Sequence, residues 1–231
     1  DIERGIELFD YPRLTYRQKR AFLKDLAYWM ILNGWSEVAR ERVEDRFTRR
    51  ADMMEGLQGI SGADICRYLI DRSGIIREPI VGQIDFVHRS FQEFLAAEAA
   101  LDEDDIGVLI LNAHDDRWRE VIILASGLAS TKLRGELLIG LIKRGQNEPQ
   151  YQQLLDLLAI ACLQTAIDLN TDVRDAVKKR IDEFVPFRSI EHIKNLATAG
   201  DLAVPYFAPS TGQSEELAAA CINALASIGS D

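Results

Sequence analysis

The chemistry open to this 231-residue chain is bounded first by what it lacks. It has only three histidines, His88, His114 and His192, far apart in the sequence, and no HExxH or CxxC spacing. A metal site or a Cys–His dyad would therefore need a convergence in three dimensions that no local pattern announces. No GxxxxGK[ST] stretch occurs, so these residues encode no phosphate-cradling loop of that type. No apolar run approaches the roughly 20 residues of a membrane-spanning helix. The opening Asp1-Ile2-Glu3-Arg4 leads into no apolar segment of the secretory-signal kind. Cys66, Cys162 and Cys221 are odd in number and widely separated, each among apolar neighbours at helical spacing. The expectation is three buried, reduced thiols in a cytoplasmic protein.

What is present is an ordinary globular composition, 47% hydrophobic and 28% charged, long enough to bury a core. The net charge of −10 is uneven. Residues 1–50 carry 11 basic and 9 acidic side chains, residues 51–101 carry 4 and 8, and residues 102–231 carry 12 and 20. A duplex-binding surface must be locally basic to neutralise phosphates. Only the first segment leans that way, by two charges, so nucleic acid is not an expected partner.

Along the chain, Tyr11-Pro12 ends a loop and Thr15 can cap a helix with Phe22, Leu23, Leu26, Ala27, Met30 and Ile31 on one stripe. Asn33-Gly34 stops it. Ser36 is expected to start a second helix with Val38, Ala39, Val43 and Phe47 inward and an alternating Arg/Glu run on a solvated face. Ser61-Gly-Ala-Asp64 reads as a capping box opening a helix through Ile65, Leu69 and Ile70, which Gly74 ends. Two β-prone runs follow, Ile75–Arg77 and Ile84–Val87, separated by Pro79 and Gly82, and they predict a small hairpin. A second capping box, Ser90-Phe91-Gln92-Glu93, opens a helix to about Leu101 with Phe91, Phe94, Leu95 and Ala97 available for packing.

From Asp104 onward every segment is amphipathic at helical spacing: 104–113, 116–130, 132–144, 149–169, 171–184, 189–199 and 213–228. Short turns join them, as in the antiparallel helix pairs of an α-solenoid, although no fixed repeat period is found. The expected architecture is mainly α, with a winged-helix-like domain carrying one small β-hairpin over 1–101 and a HEAT-like array of helix pairs over 102–231.

One constellation draws attention. His88 ends the second hairpin strand two residues before Ser90, and a helix N-terminus, with unpaired amides and partial positive charge, suits a phosphate. An imidazole there can donate a hydrogen bond to such a group, and Arg89 adds charge. The plainer reading is that His88 packs beside the hairpin, since a lone histidine at a strand end is seldom a ligand.

The residues Leu69–Ile76 followed by Phe86-Val87-His88-Arg89-Ser90-Phe91-Gln92-Glu93-Phe94-Leu95-Ala96-Ala97 resemble the end of the winged-helix domain of NACHT-type STAND ATPases, bacterial relatives of NOD-like receptors. Asp25–Met30 resembles that domain's first helix, and His114–Val121 the start of the helical region after it. The resemblance extends over roughly 15–130. It implies a nucleotide switch used in signalling, innate immunity or antiphage defence, in which the winged-helix domain folds onto an ATPase core and its histidine touches the β-phosphate of ADP. His88 matches that histidine, with Arg89 and Ser90 beside it. The family's phosphate-loop lysine and magnesium-binding acids have no counterpart, so the chain is expected to be a non-catalytic regulatory fragment. ADP or ATP with Mg would then be held by a nucleotide-binding domain upstream in the same polypeptide, and a protein partner or a second copy would bind the helical region. Two readings compete: a winged-helix DNA-binding regulator using residues 62–73, where Asp64, Arg67, Asp71 and Arg72 sum to zero charge, and a free-standing interaction scaffold.

Overall fold

The computed structural model describes residues 11–166, 168–184, 189–197, 200–208 and 214–228. They are mainly helical, with one small antiparallel sheet. The chain divides into two compact units, residues 1–99 and 100–231.

In the first unit, helix α1 (Tyr16–Leu32) begins where Thr15 caps it. Thr15 Oγ1 accepts from the Gln18 amide at 3.2 Å and Gln18 Oε1 accepts from the Thr15 amide at 2.8 Å, a reciprocal capping box. At the other end Gly34 adopts φ +67°, its amide bonding Ile31 O and that of Trp35 bonding Met30 O, which satisfies the last carbonyls. The expected stripe is the buried one, and Phe22 meets Phe47 edge-on with ring centres 5.2 Å apart.

The second helix does not start at Ser36. Glu37–Ala39 forms a strand, β1, and helix α2 (Arg40–Asp52) follows it. Helix α3 (Gly62–Ser73), capped by Ser61 and ended by Gly74 at φ +65°, leads to the hairpin β2 (Ile76–Ile80) and β3 (Gln83–Phe86). The sheet order is β1-β3-β2, with Val38 opposite Ile84. Val38 therefore faces inward from a strand rather than a helix. Pro79 lies on an edge strand at a register irregularity, where its missing N–H removes no ladder bond. Helix α4 (Arg89–Asp102) leaves the sheet.

In the second unit, helix α5 (Ile106–Asn112) ends in an acidic turn, and Asp115 caps a short 3-10 segment, Asp116–Trp118. Helices α6 (Arg119–Leu128), α7 (Thr131–Asn147), α8 (Gln152–Thr165), α9 (Thr171–Phe184), α10 (Ile190–Ala197) and α11 (Glu215–Ile228) follow, with 3-10 turns at Gly200–Phe207 before the last. Helix α7 packs on both α5 and α9, and α6 on α8, so alternate helices share a layer. Two arginines of α7 close the C-termini of neighbouring helices. Buried Arg134, 2% exposed, donates from Nε to Ser126 O (2.6 Å) and from Nη2 to Ala129 O (2.7 Å), and its Nη1 reaches Asp168 Oδ1 at 2.7 Å. Arg144 Nη1 donates to Ile110 O and Leu111 O at 2.6 and 2.7 Å. All three cysteines are free and buried, and burial pushes the Cys66 and Cys162 thiols up to about 12.

Candidate functional site

The junction of β3 and α4 holds the sequence-predicted residues. The Val87 amide bonds Ile75 O at 2.9 Å, and the His88 carbonyl then accepts from the Phe91 amide at 3.1 Å as the helix turns away. His88, Arg89, Ser90 and Phe91 form a continuous exposed run. The His88 ring lies against Phe91, centres 5.5 Å apart and planes tilted by 58°. The amides of Arg89 and Ser90 sit in the first turn, where no intrahelical acceptor precedes them.

Two expectations about this turn change. The helix starts at Arg89, one residue before Ser90, and the Glu93 carboxylate pairs with Arg89 Nε at 2.7 Å instead of closing a capping box on Ser90. The Arg89 charge is thus matched within one turn by a nearly buried carboxylate. The buried face also differs from the expected one. Phe91 is 39% exposed, whereas Gln92 is 5% exposed. Gln92 Nε2 donates to Trp35 O at 3.2 Å, tying the first turn of α4 to the chain leaving α1. Neither Gln92 nor Trp35 carries a local signal for this tie.

Around Trp35, the Trp29 ring stands perpendicular at 5.1 Å, Arg42 lies 4.3 Å over Trp35, and Arg46 lies 4.8 Å over Trp29 while pairing with Asp25 at 2.6 Å. Part of the α2 charge run therefore packs on indole faces rather than standing free in solvent. At the far end of the hairpin, Arg40 pairs with Glu44 and Glu78, each at 2.6 Å, and Glu78 Oε1 accepts from the Gly82 amide at 2.7 Å. That amide and the Arg40 guanidinium hold the Glu78 carboxyl below the usual glutamate range. Cross-strand Arg77 and Asp85 pair at 2.8 Å. The hairpin is thereby fixed in register, and β3 delivers His88 to one place.

His114 belongs to the second unit, where Arg144 Nη2 lies 3.0 Å from its Nδ1 and the Tyr151 ring lies 4.9 Å away. The side chain of His192 lies outside the described residues. Among the described residues no three His, Cys, Asp or Glu side chains are grouped to hold a metal ion, and no helix is long and apolar enough to cross a membrane. What the β3–α4 junction offers chemically is an exposed imidazole, a hydroxyl and helix-start amides, the donors that an oxyanion accepts. Comparison with protein-family models, with curated proteins and with solved structures finds no match to this chain.

Proposed function

We propose that this chain is the regulatory half of a NACHT-type STAND nucleotide switch: a winged-helix unit whose His88 contacts the β-phosphate of ADP held by a nucleotide-binding domain of the same cytoplasmic polypeptide, followed by a HEAT-like helical unit that couples to a protein partner. The observation that carries the reading is the exposed His88–Arg89–Ser90 run at the start of α4, in the stretch that resembles the family. The order helix, strand, helix, helix, hairpin, with the first strand joining the hairpin's sheet, supports the winged-helix part. The alternating layers α5–α7–α9 and α6–α8 support the HEAT-like part.

The chain itself acts as a non-catalytic element. In the closed state the His88 imidazole donates to the phosphate, and the N-terminus of α4 adds its partial positive charge. Arg89 joins only by exchanging Glu93 for the phosphate. Because Gln92 ties this turn to Trp35, a shift of His88 is resisted by the body of the first unit. One hydrogen bond to a charged group contributes about 1.5–3 kcal/mol, on the order of tenfold to a hundredfold in the closed-to-open ratio. In the polypeptide that includes the nucleotide-binding domain, His88→Ala speeds ADP release by that factor and raises basal activity. An ADP affinity equal to wild type in that variant refutes the assignment.

The DNA-reading alternative meets a specific obstacle on α3. Tyr11 OH donates to Asp71 Oδ2 at 2.8 Å and its ring lies 5.2 Å under the Arg72 guanidinium, so both charges at that end of the helix already have partners. Random duplex DNA at low salt should give no shifted band.

A further inference from the structure

We propose that Glu93 governs how tightly the β3–α4 junction holds a phosphate group, by keeping the Arg89 guanidinium on itself and so withdrawing one cation from the site. This role rests on the reading of His88 as a phosphate contact, and it names the residue that lets the phosphate go.

From Phe86 to Ala97 the chain carries only two formal charges, Arg89 and Glu93. They stand one helical turn apart on α4, and Arg89 Nε donates to Glu93 Oε1 at 2.7 Å. The two ends of the pair differ in setting: the Glu93 side chain is 10% exposed and the Arg89 side chain 64%. A carboxylate so nearly buried has lost most of its water, and keeping its charge there needs a partner. Its field is also little screened, so it pulls on Arg89 and pushes on an incoming anion more strongly than a surface glutamate would. An i,i+4 pair between two exposed side chains has neither property.

Exchange of Arg89 between carboxylate and phosphate asks nothing of the backbone. Gln92, next to Glu93, is fixed by its Nε2 bond to Trp35 O, and the Phe91 amide bonds His88 O. The turn is held, and only the long, exposed arginine side chain has to swing. With Arg89 on Glu93, a phosphate meets His88, the Ser90 hydroxyl, the first amides of α4 and a pair with no net charge. With Arg89 on the phosphate it gains a guanidinium, but Glu93 is left nearly buried without its counter-charge. The cost of that orphaned carboxylate opposes the second arrangement. Phosphate is therefore held without the guanidinium, loosely enough to leave, which suits a switch that must release ADP before it changes state.

The test uses the 231-residue chain, pyrophosphate as the probe at constant ionic strength, and the NMR shifts of the His88 imidazole and the Arg89 and Ser90 amides. Glu93→Gln keeps the size of the side chain and removes its charge. Pyrophosphate should bind that variant about tenfold more tightly than wild type, the gain of one charge-assisted bond. Adding Arg89→Gln should return affinity to the wild-type value, because an uncharged pair then replaces a pair of no net charge. Glu93→Asp keeps the charge but draws it back by one methylene, so it should fall between wild type and Glu93→Gln, and it carries the test if Glu93→Gln does not fold. The proposal is overturned if neither Glu93 variant binds pyrophosphate better than wild type, or if the double variant keeps the gain. It is equally overturned if the double variant binds as weakly as His88→Ala, since Arg89 would then reach the phosphate with Glu93 in place. No shift at these groups in any variant, or a His88→Ala chain that binds as tightly as wild type, refutes instead the phosphate reading of His88, and the role of Glu93 falls with it.

Discussion

Gly62→Ala should cripple the first unit, and its size can be worked from the α2–α3 crossing. Gly62 opens α3, and its φ is not in the left-handed region, so conformation alone would admit alanine. Space does not. A Cβ there would lie 1.9 Å from Glu44 O, 2.6 Å from Thr48 Oγ1 and 2.7 Å from Thr48 N. Two of these atoms are backbone in the middle of α2, so no side-chain rotation relieves them, and the helices must separate by about 1 Å. Overpacking of this kind costs about 1–3 kcal/mol, occasionally more. Separation also stretches the bond from the Gly62 amide to Thr48 Oγ1, 3.0 Å long, which contributes about 1 kcal/mol. The expected total is about 2–4 kcal/mol, a fall in melting midpoint of on the order of 10 °C or more for a unit of this size. Urea or thermal unfolding followed by tryptophan fluorescence reads it, since Trp29 and Trp35 both belong to this unit and pack against each other. Gly107→Ala is the control. It is a helical glycine with nothing within 4 Å of the added carbon, and it should be neutral or stabilising by about 0.5 kcal/mol. A Gly62→Ala midpoint within error of wild type would refute the reasoning.

Two further outcomes concern charged groups in each unit. Arg134→Met should destabilise the second unit by about 3 kcal/mol, because the buried carbonyls of Ser126 and Ala129 lose their donor; Arg134→Lys, with one ammonium in place of a fork, should recover less than half, and a thermal melt of the pair decides it. Glu78 has a carboxyl held below its ordinary value, first by the Gly82 amide, so the folded state favours its ionised form. Its contribution is therefore present above the unfolded pKa, in full at neutral pH, and lost as pH falls from the ordinary glutamate range, about 4.3, through the lower folded value. Melting midpoints of wild type and Glu78→Gln should converge in that acid range and differ at pH 7; a constant difference across pH refutes the linkage.

Signals confined to a few neighbouring residues were legible in the sequence. The Thr15 cap, the Gly34 stop, the Ser61 start and the Gly74 end each depend on residues within five positions along the chain, and the buried stripe of α1 follows from its spacing. The hairpin was legible through Pro79 and Gly82 for the same reason. Even so, a local pattern can be outcompeted. Ser90 and Glu93 match a capping box, yet Arg89, one residue closer to the sheet, captures the carboxylate, since a guanidinium partner is stronger than an amide one.

What only the tertiary structure decided are the pairings between distant segments. Glu37–Ala39 is too short to display a period, and it becomes a strand because β3, some 45 residues later, offers it a ladder. Gln92 is buried because Trp35 O accepts its amide, and Arg134 because the carbonyls of Ser126, Gly127 and Ala129, with Asp168, converge on one guanidinium. Gly62 and Gly140 look like ordinary helical glycines until a second backbone or Ile110 arrives at the missing Cβ. By itself the sequence determined the ends of α1 and α3, and that the β3–α4 turn carries His88. Which faces meet, and therefore that His88 stands exposed on a turn anchored through its buried neighbour, was set by packing, whose partners are chosen by shape and unsatisfied hydrogen bonds across the fold rather than along the chain.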